Sequence, residues 1–147
     1  MMMTGSSSAN ASATPTLGTP VIEEKGMVTG QRVLEVSPWP KTEASFIALR
    51  GNIAASETGT YTSVMRADGS LYGQGQGIIT TKDGDVATWT GQGIGHFTQD
   101  GKLRFHGSLF YSTPFTGKLD FLNNMVGVFS YEVDATGKTT GKVWEWK

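Results

Sequence analysis

The sequence predicts an all-β fold, a single antiparallel eight-stranded barrel built mostly as a meander. Three observations carry that prediction. Glycine alternates with larger residues at period two through Tyr72–Phe97, the period of a strand rather than a helix. The tetrapeptide Gly-Gln-Gly-Ile occurs at 75–78 and again at 91–94, each copy running on to an Asp-Gly pair. With Asp68-Gly69 upstream, Asp83-Gly84 and Asp100-Gly101 mark successive hairpins.

The elements follow in order. Residues 1–22 are mostly Ser, Thr, Ala, Gly and Pro, a composition that cannot bury a core, and are expected to form a disordered tail before a barrel domain at 23–147. The tail lacks the basic and apolar regions of a secretory signal, which points to a cytoplasmic protein. Val28–Val36 reads as the first strand, ended by Ser37-Pro-Trp-Pro40. Ala44–Ile53 reads as a strand or short helix, with its neighbours favouring a strand, and Thr58–Ala67 as the third strand. The Gly-Gln hairpins supply strands four to six, ending near Ser112. Thr113–Asn124 is a connection in which Leu119-Asp-Phe-Leu122 is placed as a plug. Met125–Asp134 and Thr139–Lys147 complete the eight strands. No segment keeps a helical period over 11 residues. Closing such a meander removes exposed edges and leaves an interior wide enough for packed side chains or one small ligand.

Composition excludes several classes. There are no cysteines, so disulfides, thiolate metal sites and cysteine nucleophiles are ruled out. The formal net charge is −1 with the charges scattered, which gives no footprint for nucleic acid or an anionic membrane. No apolar run approaches the roughly 20 residues that span a bilayer as a helix. The Gly-Gln-Gly-Gln-Gly run lacks the following helix that a nucleotide site requires, so no cofactor is expected. His96 and His106 show no metal-ligand spacing, and no metal site is expected.

If each Asp-Gly fills a two-residue type I′ loop, Ala67 pairs with Ser70, Lys82 with Asp85 and Gln99 with Lys102. The extra residue before the second repeat's turn then reads as a β-bulge. This register gathers Tyr61, Tyr72, Gln74, Gln76, Trp89, Arg104 and His106 on one face. Facing inward, they form an aromatic space with a few polar groups, the make-up of a ligand pocket. The opposite face, with Val64, Leu71, Ile79, Ile94, Phe105 and Leu109, is an ordinary hydrophobic core if it is the one inside. The sequence leaves the choice open. His106 is a candidate general acid/base because its ordinary pKa suits proton transfer. Glu132, like Glu35 and Glu145, lies within a strand and becomes a candidate base only if the barrel buries it. Each of these also has a plain structural reading as a surface or packing residue. Apolar residues on both faces predict that the outer wall is covered, by a terminal segment or another subunit.

Asn123-Asn-Met-Val-Gly-Val-Phe-Ser-Tyr131, the paired Gly-x-Gly strands and the closing Gly141-Lys-Val-Trp-Glu-Trp-Lys147 resemble uncharacterised bacterial and archaeal proteins of the allene oxide cyclase-like, dirigent-like barrel family. The resemblance covers roughly residues 25–147. It implies an eight-stranded barrel, a trimeric homo-oligomer and a cavity for an apolar small molecule. No catalytic residue transfers position by position. The expected function is therefore a small-molecule-binding barrel; a cyclase or isomerase using the same cavity is the first alternative, and a filled structural barrel the second.

Overall fold

A computed structural model describes residues 17–51, 53–114 and 117–147. The expected tail falls mostly on 1–16, outside the described residues. Its end is docked: the Trp144 indole N–H donates to the Gly18 carbonyl at 3.0 Å, and the Val21 amide to the Val143 carbonyl at 2.8 Å.

Eight antiparallel strands close into a barrel in sequence order. They are β1 (Ile22–Glu35), β2 (Lys41–Arg50), β3 (Ala55–Met65), β4 (Leu71–Thr81), β5 (Val86–Phe97), β6 (Leu103–Ser112), β7 (Val126–Val133) and β8 (Lys138–Glu145). β1 closes the barrel by pairing its first half with β8, from Ile22 opposite Val143 to Met27 opposite Lys138. After the Val28 amide donates to the Gly137 carbonyl, β1 continues along β2 alone, so its second half is an arm with an open outer edge, and Val33, Leu34, Val36 and Trp39 are exposed there. Among the described residues no helix is long and apolar enough to cross a membrane.

The hairpins form where the Asp-Gly pairs predict them, but with a different turn. The loops hold three residues rather than two: Arg66 pairs with Ser70, Thr81 with Asp85 and Thr98 with Lys102. Each closes through the glycine amide, which donates to the carbonyl three residues back, and each glycine has positive φ, +85° at Gly69, +89° at Gly84 and +82° at Gly101. That is a type I turn followed by a left-handed residue. Moving the pairing by one residue flips every side chain to the other face. Leu71, Gly73, Gly75, Gly77, Ile79 and Thr81 therefore face inward on β4, while Tyr72, Gln74 and Gln76 face out. The bulge expected in the second repeat is absent; its extra residue lengthens β5 to 12 residues against 11 in β4. The register breaks lie instead in β1, between Val28 and Gly30 and between Val33 and Glu35.

The interior has two apolar centres. One packs Ile22, Phe46, Ile79, Trp89, Tyr111 and Val143 beneath Leu119 and Leu122, which seal one end through a single 3-10 turn at Asp120–Leu122. The plug expected from the sequence is in place, with Leu119 and Leu122 each 1% exposed. The other centre joins Leu71, Phe105 and Tyr131. Tyr61 bridges the two, with its ring centroid 6.1 Å from Phe46 and 5.8 Å from Phe105. Inward glycines make room for these rings. A Cβ at Gly77 would run into the Trp89 indole, and one at Gly73 would lie 2.9 Å from the Phe105 ring.

Candidate functional site

The site lies inside the sealed end, where the inward positions of β1, β2 and β3 carry charge instead of hydrocarbon. Glu24 sits directly opposite Arg50 in the β1–β2 ladder, and Glu57 sits opposite Ala48 in the β2–β3 ladder. Small neighbours allow the long side chains to lie in the lumen: a Cβ at Gly141, across from Glu24, would come within 2.9 Å of the Glu24 side chain.

The three charges form one cluster. Arg50 Nη2 donates to Glu57 Oε1 at 2.9 Å and makes an ion-pair contact with Glu24 Oε2 at 3.3 Å. The side chains of Arg50 and Glu57 are each 2% exposed. The second Glu57 oxygen accepts the Trp89 indole N–H. Burial, reinforced by the neighbouring Glu57, pushes the Glu24 carboxyl well above the ordinary carboxylate range, with Arg50 pulling the other way. Burial pulls the Arg50 guanidinium down, but the carboxylates of Glu57 and Glu24 outweigh it and raise it. The Tyr111 hydroxyl is pushed up by burial, against the pull of Arg50. Tyr131 is pushed up by burial and then by the nearby Tyr61 hydroxyl.

Above the cluster is a cavity of about 80 Å³, lined by Phe46, Tyr61, Trp89, Phe105 and Tyr131 as well as the charged groups. One water needs roughly 10–15 Å³ by this measure, so the space exceeds a single solvent molecule. Several polar atoms in or beside it have no hydrogen-bond partner among the described residues: Arg50 Nε and Nη1, Glu24 Oε2, and the Tyr111 and Tyr131 hydroxyls. Isolated buried polar groups are costly, so such a group of unmet atoms marks a place for water or ligand.

The residues expected to form a pocket are divided by the barrel wall. Tyr61 and Trp89 face the interior. Tyr72, Gln74, Gln76, Arg104 and His106 lie on the outside, because the three-residue loops shift the register by one. Outside, the Tyr72 hydroxyl donates to Gln92 Oε1 at 2.6 Å, and Arg104 Nε donates to Glu132 Oε2 at 2.6 Å. Glu132 is thus an outer-wall ion-pair partner, not a buried base. His96 and His106 share the outer face, His96 opposite Arg104 and His106 opposite Ile94. Partial burial, Arg104 and His96 hold the His106 imidazole below its ordinary value. No group of three or more metal-ligating side chains occurs among the described residues.

The residues missed were Glu24, Arg50, Glu57 and Tyr111. A signal for Glu57 was available. It has the parity of Tyr61 on the same strand, so extending the third strand one residue back from Thr58 puts it on the Tyr61 face.

No protein-family model matches this sequence, and no curated protein matches it. Two solved structures share the fold. A conserved protein of unknown function from Rhodopseudomonas palustris superposes with a TM-score of 0.70 at 12% identity, over 86% of this chain and 95% of that one. A protein of unknown function from Clostridium acetobutylicum superposes with a TM-score of 0.70 at 14% identity, over the same shares of the two chains. At these identities the likeness is one of barrel architecture.

Proposed function

We propose that this chain is a small-molecule-binding barrel whose ligand is largely apolar and sits between the aromatic rings and the Glu24–Arg50–Glu57 cluster. The observation that carries the reading is the conjunction of a cavity walled by Phe46, Tyr61, Trp89, Phe105 and Tyr131 with unmet donors on a guanidinium that is 2% exposed. A mostly apolar concavity with a few convergent polar groups is the ordinary form of a ligand site. The barrel acts as a homo-oligomer, the trimer being the state implied by its resemblance to allene oxide cyclase-like proteins. Met27, Ile47, Leu49 and Ile78 remain exposed on its outer wall and supply apolar surface for that contact. Native mass spectrometry of gently purified protein tests both statements together. The expected result is an oligomer carrying excess mass that is released on unfolding. A bare monomer from a ligand-replete lysate would refute them.

A cyclase or isomerase is the second reading, favoured by one observation. Two carboxyl groups share a buried cation, and burial followed by Glu57 raises the Glu24 carboxyl above the ordinary carboxylate range. Such a pair suits proton transfer to and from a bound molecule. In that case Glu24→Gln removes turnover while His106→Ala and Glu132→Gln, both on the outer wall, leave it unchanged.

A further inference from the structure

The unmet atoms of the interior cluster are mostly donors, and this restricts the chemistry of what the barrel holds. Arg50 has five N–H groups in a fixed planar fork. Those on Nη2 face the two carboxylates, at 2.9 Å from Glu57 and 3.3 Å from Glu24. Nε and Nη1, with three N–H groups between them, make no hydrogen bond of good geometry, and the Tyr111 hydroxyl makes none either, though it lies beside the guanidinium and interacts with it. The only unmet group that accepts without also donating is, among the described residues, Glu24 Oε2, which already contacts Arg50; the Tyr111 and Tyr131 hydroxyls can do either. An occupant must therefore offer an acceptor.

Charge narrows the class further. The Arg50 cation already has two carboxyl partners, Glu57 at 2.9 Å and Glu24 at 3.3 Å, so the cluster has no positive charge to spare. An anionic occupant would add an uncompensated negative charge to a water-poor cavity, which is strongly disfavoured. A cationic one would face the free edge of the guanidinium. The rest of the wall is aromatic.

Building on the reading of this chain as a ligand-binding barrel, we propose that the site takes an uncharged small molecule with an acceptor oxygen, such as a ketone, aldehyde, lactone or amide. The oxygen rests on Arg50 and Tyr111, and the hydrocarbon body lies among Phe46, Tyr61, Trp89 and Phe105.

The test uses three probes of one size: cyclohexanone, cyclohexanecarboxylate and cyclohexylamine. Each is titrated into the full chain, freed of any retained molecule by unfolding and refolding, while the NMR signal of the Trp89 indole N–H is followed. The expected result is that the ketone binds at least about tenfold more tightly than either charged probe. Tyr111→Phe, which keeps the ring and removes the hydroxyl, should weaken the ketone about 3- to 10-fold, the range of one hydrogen bond. That variant preserves the ion cluster and is more certain to fold than an Arg50 substitution. A charged probe binding as tightly as the ketone, or a ketone affinity unchanged by Tyr111→Phe, would overturn the proposed oxygen seat and leave the binding barrel standing. Silence of the indole signal toward all three probes would overturn the binding barrel as well.

Discussion

The behaviour of single residues is set by where the barrel puts charge. Glu24 is a carboxyl whose native value is raised by burial and by Glu57. In the unfolded chain it titrates near the ordinary value of 4.5. Above that pH the native state keeps a proton that the unfolded state has lost, so its contribution to stability is full below about pH 4.5 and falls as pH rises. The loss runs at up to about 1.4 kcal/mol per pH unit until the buried carboxyl ionises. Glu24→Gln removes this titration. Its stability relative to wild type, from urea unfolding, should therefore climb as pH rises above about 4.5; a difference that stays constant as pH rises from there would contradict the assignment. Arg50→Met tests the same cluster from the cation. It leaves two buried carboxyl groups without their counter-charge, and breaking a buried pair in this way costs about 3–5 kcal/mol. A loss below about 1 kcal/mol in denaturant unfolding would mean that water already solvates the cluster.

At the scale of the element, the turns decided what the sequence revealed and what it hid. Alternating glycines and Asp-Gly pairs located every hairpin from β3 to β6. Asp-Gly also fits two loop lengths, however, and choosing the shorter inverted β4 and β6 relative to β3 and β5. In two of the three Asp-Gly loops, and in the β7–β8 loop, the cue to the longer loop is a short acceptor side chain three residues before the glycine; the first loop has Arg66 there and no such cue. Thr81 Oγ1 accepts from the Asp85 amide at 3.1 Å, Thr98 Oγ1 from the Lys102 amide at 3.1 Å, and Asp134 Oδ1 from the Lys138 amide at 3.0 Å. With the longer loop at all three Asp-Gly pairs, Tyr61, Trp89 and Phe105 become interior partners. Glu24 and Arg50 were less legible, because their burial depends on how β1 and β2 close the barrel, which no local pattern encodes. The glycines now divide into two kinds. Gly101 has φ +82° and open space around it, so Gly101→Ala costs only backbone strain, about 1–2 kcal/mol. Gly77 faces the Trp89 indole, so Gly77→Ala must displace the ring that donates to Glu57. Near-ultraviolet circular dichroism and fluorescence of the two variants separate these cases. Gly101→Ala should keep the wild-type tryptophan spectrum at a lower melting temperature, and Gly77→Ala should change the spectrum itself. Matching spectra in both variants would show that Trp89 yields without leaving Glu57.

For the whole molecule, the outer wall is the part that a closed barrel leaves unexplained. Met27 faces Ile47 across β1 and β2, with Leu49 two residues further along the same face of β2; Thr58 then separates Ile47 from Ile78 on β4. Exposures of 49% for Met27, 52% for Ile47 and 70% for Leu49 leave this group of neighbouring side chains open on the outer wall. A patch of neighbouring apolar side chains is a common mark of an interface. The second half of β1, an arm paired with β2 on one side only, extends past the start of β8, where its free strand edge is open to pairing. Replacing Ile47 and Leu49 together by lysine should therefore convert an oligomer to a monomer in light scattering at micromolar concentration. Both side chains point away from the interior, so the monomer's own stability should change by no more than about 0.5 kcal/mol for each substitution. Dissociation with the cavity still binding cyclohexanone would place the ligand site wholly within one barrel. Dissociation with loss of binding would mean that packing around the outer wall holds β1, and with it Glu24, in position. A mass unchanged by the two lysines would move the contact to the arm, where Trp39→Ser and Val36→Ser become the informative pair.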